Sequence, residues 1–268
     1  MAADRLRGTT RLAGVIGWPV EHSRSPQMHN AAFEALGMDW AYVALPVRPE
    51  RLAPALRGLP ALGFAGVNVT IPHKEAVAGL CDSISDEARR AGSVNTVLVD
   101  GDGSLRGELT DGQGVVDELG DIPRRRAVVL GAGGAARAVI VALAGAGHKV
   151  EVCARDAAAA AALAERLGAG VAAWPLADPP PLLVNATPVG QRDDELPVDQ
   201  QLLAGVAVVC DLAYRGDGGA TPLIDAARRA GARTVDGIDV LVGQGIHAFR
   251  LFTGVEPPAD VMRAAARG

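Results

Sequence analysis

The chain has 268 residues, of which 49% are apolar and only 3% are aromatic. This length accommodates one large domain or two ordinary ones, and the bias toward Ala, Val and Leu suits helices packed on buried sheets rather than a disordered or fibrous chain. A formal net charge of −5, with the basic residues scattered, argues against a nucleic-acid partner.

Short β-branched runs alternate with Ala- and Leu-rich segments of helical length, which predicts an α/β protein with a largely parallel sheet. In the first half, the turn-rich stretch Asp100–Gly107 predicts a hairpin. The strands predicted there are Leu12–Ile16, Ala41–Leu45, Gly66–Val69 and Val94–Val99, and the helices between them are Pro26–Leu36, Glu50–Leu56 and His73–Leu80.

A second strand and helix series begins at Arg126. The strand AVVL leads into GAGGAARAVIVALAGAG, then KVEVCAR leads into an alanine-rich helix, and LLVNATPVG and VAVVCDLAY supply two further strands. Alanine is the best helix former, so the run Ala157–Ala162 predicts a surface helix rather than a low-complexity linker. We expect two α/β domains with a boundary near Gly107–Asp111.

The cysteine and hydropathy patterns indicate the compartment in which the protein is expected and the kinds of site that it lacks. Cys81, Cys153 and Cys210 lie far apart without CxxC spacing, which excludes a disulfide framework or a zinc site and is typical of a reducing compartment. The first residues lack the apolar core of a signal peptide, and no stretch approaches the roughly 18 apolar residues of a membrane span. We expect a soluble cytoplasmic protein with no metal, no membrane partner and no nucleic acid.

Lysine usage singles out one candidate proton donor. The only lysines among the 26 basic residues are Lys74 and Lys149, and Lys74 lies in the run GVNVTIPHKEAV. A guanidinium stays protonated at any useful pH, whereas a partly buried ammonium can release and regain a proton. Lys74 is therefore a candidate catalytic acid, the alternative being a solvated surface lysine.

The run AVVLGAGGAAR predicts a dinucleotide site. Gly131 permits a tight turn between strand and helix, Gly133 and Gly134 allow the backbone to approach a phosphate, and the following helix directs its N–H groups at a pyrophosphate. The match is G-x-G-G-x-x-R rather than strict G-x-G-x-x-G, so a simple glycine-tolerant turn is the alternative. At the end of the next strand, Arg155 favours a 2′-phosphate and hence NADP, whereas Asp156 would repel that phosphate unless it caps the following helix.

Polar residues at other element ends point to a substrate site. Ser25 before Pro26 is a predicted helix N-cap, and with Ser23 it could hold a small carboxylate or merely shape the turn. Thr70 ends a strand, Pro72 is predicted to open a helix, and Lys74 lies on its first turn. Asn95 and Asp111 lie at two further element ends, where open α/β sheets build their sites.

In order and spacing, these motifs resemble shikimate dehydrogenases over nearly the whole chain. The matching runs are GWPVEHSRSPQMHNAAF, GVNVTIPHKEA, GSVNTV, TDGQG, GAGGAAR, NATPVG, DLAY with TPL, and VDGIDVLVGQGIHAFRLFTG. The resemblance implies an N-terminal substrate domain, residues 1–109 with 246–268, and a Rossmann-type NADP-binding domain, residues 110–245. It further implies that the last helix returns to the first domain, so that Phe249 onward packs there.

The resemblance also implies a role for each matched position. Lys74 and Asp111 would form the catalytic acid-base pair of a dehydrogenase that interconverts 3-dehydroshikimate and shikimate. The implied substrate ligands are Ser23, Ser25, Thr70, Asn95, Tyr214 and Gln244, and the implied cofactor contacts are Gly131, Ala132, Gly133, Gly134, Ala135, Arg155, Asn185, Thr187 and Gly237. Reduction of a ring ketone develops negative charge on its oxygen, which an ammonium such as Lys74 can stabilise and protonate.

Departures from the family pattern leave the substrate and cofactor preference open. Leu109 stands where the family usually has Asn, Gln191 stands where Met is usual, and the loop from Tyr214 to Thr221 is longer than usual. These differences keep a quinate or aminoshikimate dehydrogenase, with NAD as a possible cofactor, as an alternative. A non-catalytic ligand sensor on the same scaffold would be expected to lack the acid-base pair or the glycine turn. A folate-linked dehydrogenase offers no use for the paired serines. The sequence leaves a monomer or a homodimer open.

Overall fold

The computed structural model describes residues 6–216 and 218–268. They divide into two compact units: the first contains the described residues up to Thr110 together with Gln244–Gly268, and the second contains Asp111–Gly243. These divisions fall one residue after and two residues before the domain limits predicted above. In the described part of the chain, no helix is long and apolar enough to cross a membrane.

The first unit is built on a mixed sheet. Its strands are β1 (Arg11–Gly17), β2 (Trp40–Pro46), β3 (Phe64–Val69), β4 (Ser83–Ile84), β5 (Thr96–Val99) and β6 (Leu105–Glu108), in the spatial order β2-β1-β3-β5-β6-β4. Its helices up to that point are α1 (Ser25–Ala35), α2 (Leu52–Gly58), α3 (Lys74–Ala78) and α4 (Asp86–Ala91), with a short 3-10 helix at Pro49–Arg51. β1 pairs in parallel with β2 and β3, whereas β5 is antiparallel to both β3 and β6.

The second unit has a fully parallel sheet. Its helices are α5 (Asp111–Leu119), α6 (Gly134–Gly145), α7 (Ala157–Leu167) and α8 (Pro222–Arg229), and α9 (Gly237–Thr253) begins in it. Its strands are β7 (Arg126–Leu130), β8 (Lys149–Cys153), β9 (Gly170–Val171), β10 (Leu182–Asn185), β11 (Val208–Asp211) and β12 (Arg233–Val235), with a 3-10 helix at Gln200–Gly205. The spatial order β12-β11-β10-β7-β8-β9 reverses between β7 and β10, as in a doubly wound Rossmann-type sheet.

The apolar strand β7 explains why helices cover both faces of the second sheet. Successive side chains of a strand point to opposite faces. Val129 accordingly belongs to a buried cluster with Ile140 of α6, and Val128 belongs to another with Leu203 and Leu223. A strand that is buried on both sides needs a layer of helices on each face.

The chain returns to the first unit through α9, and it ends in α10 (Ala259–Arg267). α10 packs on α1, and the ring of Phe249 lies 4.9 Å from that of Phe33 and 6.0 Å from that of His29. Phe249 and His29 are both fully buried. The α/β class and the predicted return of Phe249 onward to the first domain are confirmed.

Most predicted elements are present with ends shifted by one or a few residues, but two predicted helix starts are wrong. Ser25 is the first residue of α1 rather than its N-cap, and the position before it makes no side-chain cap. The reason is that the Ser25 hydroxyl is hydrogen-bonded to Tyr42 instead. Pro72 does not open α3, because a turn in which the His73 N–H donates to the Thr70 carbonyl precedes the helix, which begins at Lys74.

Most strand pairs are parallel, as predicted, but two pairs of the first sheet are antiparallel. One of these pairs, β5 with β6, is the hairpin predicted at Asp100–Gly107. The predicted surface helix over the alanine run is confirmed as α7.

Candidate functional site

In the first unit, polar side chains gather at the edge of the sheet where β1 and β3 end. The segment with Ser23 and Ser25 follows β1, and Thr70 and Lys74 follow β3. Because β5 runs antiparallel to β3, Asn95 at its amino end reaches the same edge, where its carbonyl accepts from the Val69 N–H at 2.7 Å. The sheet thus brings together five predicted site residues.

Two close approaches fix the turns at this edge. The Thr70 N–H donates to the Ile16 carbonyl at 2.9 Å, and a Cβ on Gly17 would clash with the Thr70 methyl group. At the start of α3, the Lys74 carbonyl accepts from the Val94 N–H at 2.8 Å. Lys74 is half-buried, and its backbone is tied to the segment that precedes β5.

A buried hydroxyl links the serine segment to β3. The Tyr42 hydroxyl donates to Asn68 Oδ1 at 2.6 Å, and it is also hydrogen-bonded to the Ser25 side chain. Burial raises the pKa of Tyr42 well above its ordinary value, so the phenol stays neutral. His29 stacks on the Tyr42 ring with centroids 4.2 Å apart, and burial lowers the pKa of His29 to about 3. The serine segment therefore rests on neutral, fixed rings.

The same network continues to Asn95. Asn68 Nδ2 donates to Thr96 Oγ1 at 2.9 Å. Asn95 Oδ1 accepts from the Thr110 N–H at 2.7 Å, and Asn95 Nδ2 donates to Thr110 Oγ1 at 2.9 Å. These side chains are all buried, so their hydrogen bonds replace lost water and hold the orientation of the Asn95 amide. Asp111 follows Thr110 directly and begins α5.

In the second unit, the glycine turn lies at the point where the strand order reverses. Gly131 follows β7 with φ of 107°, a conformation that favours glycine, and a Cβ there would lie 3.1 Å from Thr187 Cγ2. α6 starts at Gly134 with Gly133 as N-cap and no side-chain cap. A Cβ on Gly133 would meet open space, so a phosphate can approach the first N–H groups of α6 closely. The backbone here fits a dinucleotide pyrophosphate.

A second buried network lies next to this turn. Asn185 ends β10, and its Oδ1 accepts from the Thr187 N–H at 3.1 Å and from Thr187 Oγ1 at 2.7 Å. Asn185 Nδ2 donates to Asp211 Oδ1 at 2.9 Å. The Asp211 carboxylate also accepts from the Ala213 N–H at 3.0 Å and from Thr221 Oγ1 at 2.5 Å. The Asn185 amide is thereby engaged inside the protein, although the resemblance implied that it lines the cofactor.

Arg155 and Asp156 lie between the end of β8 and the start of α7, and their side chains differ in their surroundings. Asp156 is the N-cap of α7, with its Oδ1 accepting from the Ala159 N–H at 3.0 Å. Arg155 is exposed beside it. Because the acidic side chain is engaged in capping, the exposed arginine remains the candidate for a 2′-phosphate, and the pair fits NADP better than NAD.

The other predicted site residues lie on three further segments. Tyr214 is half-buried after β11, and Gln244 is buried within α9. Gly237 begins α9, and a Cβ there would clash with the Ala213 carbonyl oxygen, so its glycine is required for close packing. Two of the positions that differ from the family pattern make contacts within their own units. Leu109 packs against the core of the first unit. In the loop that follows Tyr214, Arg215 Nη1 donates to the Asp193 carbonyl at 3.1 Å.

Sequence reasoning missed the residues that hold these sites in place, above all Tyr42, Asn68 and Asp211. Asp211 is fully buried, and this burial raises its pKa to about 6 despite three donors. The available signal was an acidic residue directly after five apolar residues at a strand end, in the run VAVVCD.

Comparisons with known proteins agree across the chain. Residues 15–97 match the family model of the shikimate dehydrogenase substrate binding domain, and residues 237–267 match that of the shikimate 5′-dehydrogenase C-terminal domain. The chain is 48% identical to shikimate dehydrogenase (NADP(+)) of Rubrobacter xylanophilus, covering 100% of this chain and 99% of the relative. It is also 48% identical to the Gluconobacter oxydans protein of the same name, over 95% and 94% of the two chains.

A solved structure agrees as well. The crystal structure of shikimate 5-dehydrogenase from Thermus thermophilus in complex with NADP(H) and shikimate superposes with a TM-score of 0.89 at 42% sequence identity. The match covers 97% of this chain and 99% of that chain.

Proposed function

Because the chain belongs to the shikimate dehydrogenase family, we propose that it is an NADP-dependent oxidoreductase that interconverts 3-dehydroshikimate and shikimate. The observation that carries this proposal is the half-buried Lys74, placed at the sheet edge together with the serine segment and Asn95. An ammonium in that position can donate a proton to a carbonyl oxygen held by the neighbouring hydroxyl and amide groups.

The second unit would hold the cofactor. The residues of its turn and helix start, Gly131, Ala132, Gly133, Gly134 and Ala135, would bind the pyrophosphate through backbone N–H groups, and Arg155 would bind the 2′-phosphate. When bound, NADP supplies the hydride-transfer chemistry. Thr187 and Gly237 would shape the nicotinamide end through packing.

Lys74 would deliver the proton to the ring oxygen, and Asp111 would orient the ammonium and accept from the neighbouring ring hydroxyl. Ser23 and Ser25 would donate to the substrate carboxylate, with Tyr214 beside it. Thr70, Asn95 and Gln244 would hydrogen-bond the ring hydroxyls. The inward hydrogen bonds of Asn95 support this role, because they hold its amide in one orientation before the substrate arrives.

The chain offers a matched test of the acid role, because Lys149 is the other lysine and is exposed on β8. Turnover is followed by the absorbance of the reduced nicotinamide, with shikimate and NADP+ as substrates. We expect Lys74→Ala to lower kcat by about 10²–10⁴-fold and Lys149→Ala to leave it unchanged. Undiminished kcat in Lys74→Ala would refute the assignment, and turnover by the wild type excludes a ligand sensor.

The cofactor preference has its own test. Loss of a charge-assisted contact costs about 1.5–3 kcal/mol, so Arg155→Ala should raise the KM for NADP+ by about 10–100-fold. The KM for NAD+, which lacks the 2′-phosphate, should change little. Higher kcat/KM for quinate with NAD+ than for shikimate with NADP+ would contradict the proposed substrate and cofactor together. The cytoplasmic location and the monomeric or homodimeric state remain predictions.

A further inference from the structure

We infer that Asp211 is a positioning residue of the cofactor site, which sets the turn after β10 against the glycine turn by dictating the orientation of the Asn185 amide. The inference rests on the proposed function, because it assigns a task within the NADP site. Asp211 is not a catalytic residue on this view. It is fully buried, and its neighbours Asn185 and Thr221 are buried as well.

The Asp211 carboxylate determines which way the Asn185 amide faces. An ionised carboxylate only accepts hydrogen bonds, so the Asn185 side chain must turn its NH2 group toward Asp211, which it does at 2.9 Å. The opposite orientation would place the amide oxygen against a carboxylate oxygen. Because burial raises the pKa of Asp211 only to about 6, the carboxylate is ionised at about pH 8 and keeps this selectivity.

The oriented Asn185 amide in turn holds Thr187 in the turn after β10. With its NH2 group facing Asp211, Asn185 presents Oδ1 to the Thr187 N–H and to Thr187 Oγ1, at 3.1 and 2.7 Å. The Thr187 oxygen also accepts from the Val189 N–H at 3.3 Å, so the polar end of this side chain is directed into its own turn. The side chain of Thr187 is therefore held by two hydrogen bonds, and its backbone N–H adds a third.

The turn after β10 lies directly against the glycine turn at Gly131. With its hydroxyl held inward, Thr187 places Cγ2 where a Cβ on Gly131 would lie only 3.1 Å away, and the Ala186 carbonyl oxygen would lie 3.3 Å from the same point. The turn after β10 thus forms one wall of the space beside Gly131. A shift in Thr187 moves that wall, and small displacements in a binding site have large effects on affinity.

Asp211 also holds a second arm that does not lead to the cofactor site. Thr221 Oγ1 donates to Asp211 Oδ2 at 2.5 Å, and it caps α8 by accepting from the Ile224 N–H at 3.4 Å. This arm provides the matched control, because Thr221→Val breaks a buried bond to the same carboxylate while leaving the Asn185 arm intact.

The experiment measures the dissociation constant of NADP+ in the absence of shikimate, by titration calorimetry of the full chain at about pH 8, together with the Tm of each variant. Loss of a buried hydrogen bond worth about 1–3 kcal/mol predicts an increase in Kd of about 5- to 150-fold for Asp211→Ala and for Asn185→Ala. The double variant should bind like Asn185→Ala alone, because Asp211 acts through that amide. Asp211→Asn can keep its oxygen toward Asn185 and should stay within about threefold of the wild type.

Thr221→Val should lower Tm while changing the Kd by less than about twofold. The inference is overturned if Asp211→Ala binds NADP+ like the wild type, if Thr221→Val weakens binding as much as Asp211→Ala, or if the effects of Asp211→Ala and Asn185→Ala add. Should Asp211→Ala fail to fold, Asn185→Ala compared with Thr221→Val decides the question. Absence of shikimate turnover in a wild type that binds NADP+ would refute the proposed function alone.

Discussion

The stability of the protein should depend on pH through Asp211 in a direction opposite to that of most carboxylates. Burial disfavours the ionised form, so the folded state keeps the Asp211 proton up to about pH 6, whereas the unfolded chain releases it near the ordinary aspartate pKa of 3.8. The stabilisation from the neutral form is therefore fully present below the unfolded pKa, and it is lost as the pH rises through the folded pKa. A difference of about two pKa units corresponds to about 3 kcal/mol of unfolding free energy.

Asp211→Asn isolates this contribution, because the amide has nearly the same shape and does not titrate. We expect the unfolding free energy of the variant, minus that of the wild type, to increase by about 2–3 kcal/mol between about pH 4 and pH 7. Urea denaturation at several pH values measures this difference, and the other carboxylates cancel because both proteins share them. Parallel stability profiles for the two proteins would refute the reasoning, since they would mean that burial does not perturb Asp211.

Three further substitutions probe local packing, and all are measured by chemical denaturation. Gly237→Ala should lower the unfolding free energy by about 1–3 kcal/mol, because its methyl group meets the Ala213 carbonyl oxygen. Asp156→Ala removes the N-cap of α7 and should lower it by about 1 kcal/mol. Tyr42→Phe leaves Asn68 Oδ1 without its buried donor and should lower it by about 1–3 kcal/mol.

Each of these substitutions has a comparison that separates its cause from general damage. Gly145 also lies in a helix, but a Cβ there meets nothing within 4 Å, so Gly145→Ala should not destabilise the fold. Asp156→Asn keeps a capping oxygen and should retain most of the stability. Equal losses for Gly145→Ala and Gly237→Ala, or an unchanged stability of Tyr42→Phe, would contradict the contacts assigned to these side chains.

The sequence was informative where a local pattern has a local cause. The glycine turn around Gly131 needs a positive φ, and Asp156 needs only its own helix to act as a cap, so both could be predicted from neighbouring residues. The antiparallel pairing of β5 with β3 could not be predicted, because apolar runs carry no information about the direction in which distant strands pair. The error at Ser25 has a similar origin, because its hydrogen-bond partner, Tyr42, lies on β2 and outside the segment that contains Ser25.

In the candidate site, too, residues in local motifs could be predicted, whereas residues that act through tertiary contacts could not. Residues in recognisable motifs, such as Lys74 and Asn95, could be named from the chain alone. Their supporting partners could not, because Asn68 meets Thr96 only after β3 and β5 have paired. Contacts that depend on sheet register cannot be predicted from the sequence until the pairing of the strands is known.

The two units hold their sites by the same physical means. Each places a buried polar network where strands end, with Asn68 and Asn95 in the first unit and Asn185 and Asp211 in the second. Burying such groups costs free energy unless every partner is in place, so these networks tolerate few alternative geometries. A fully apolar replacement could be as stable. It would, however, leave the turns that carry Lys74 and the glycine residues without a fixed orientation, so we interpret these networks as determinants of site geometry rather than sources of stability.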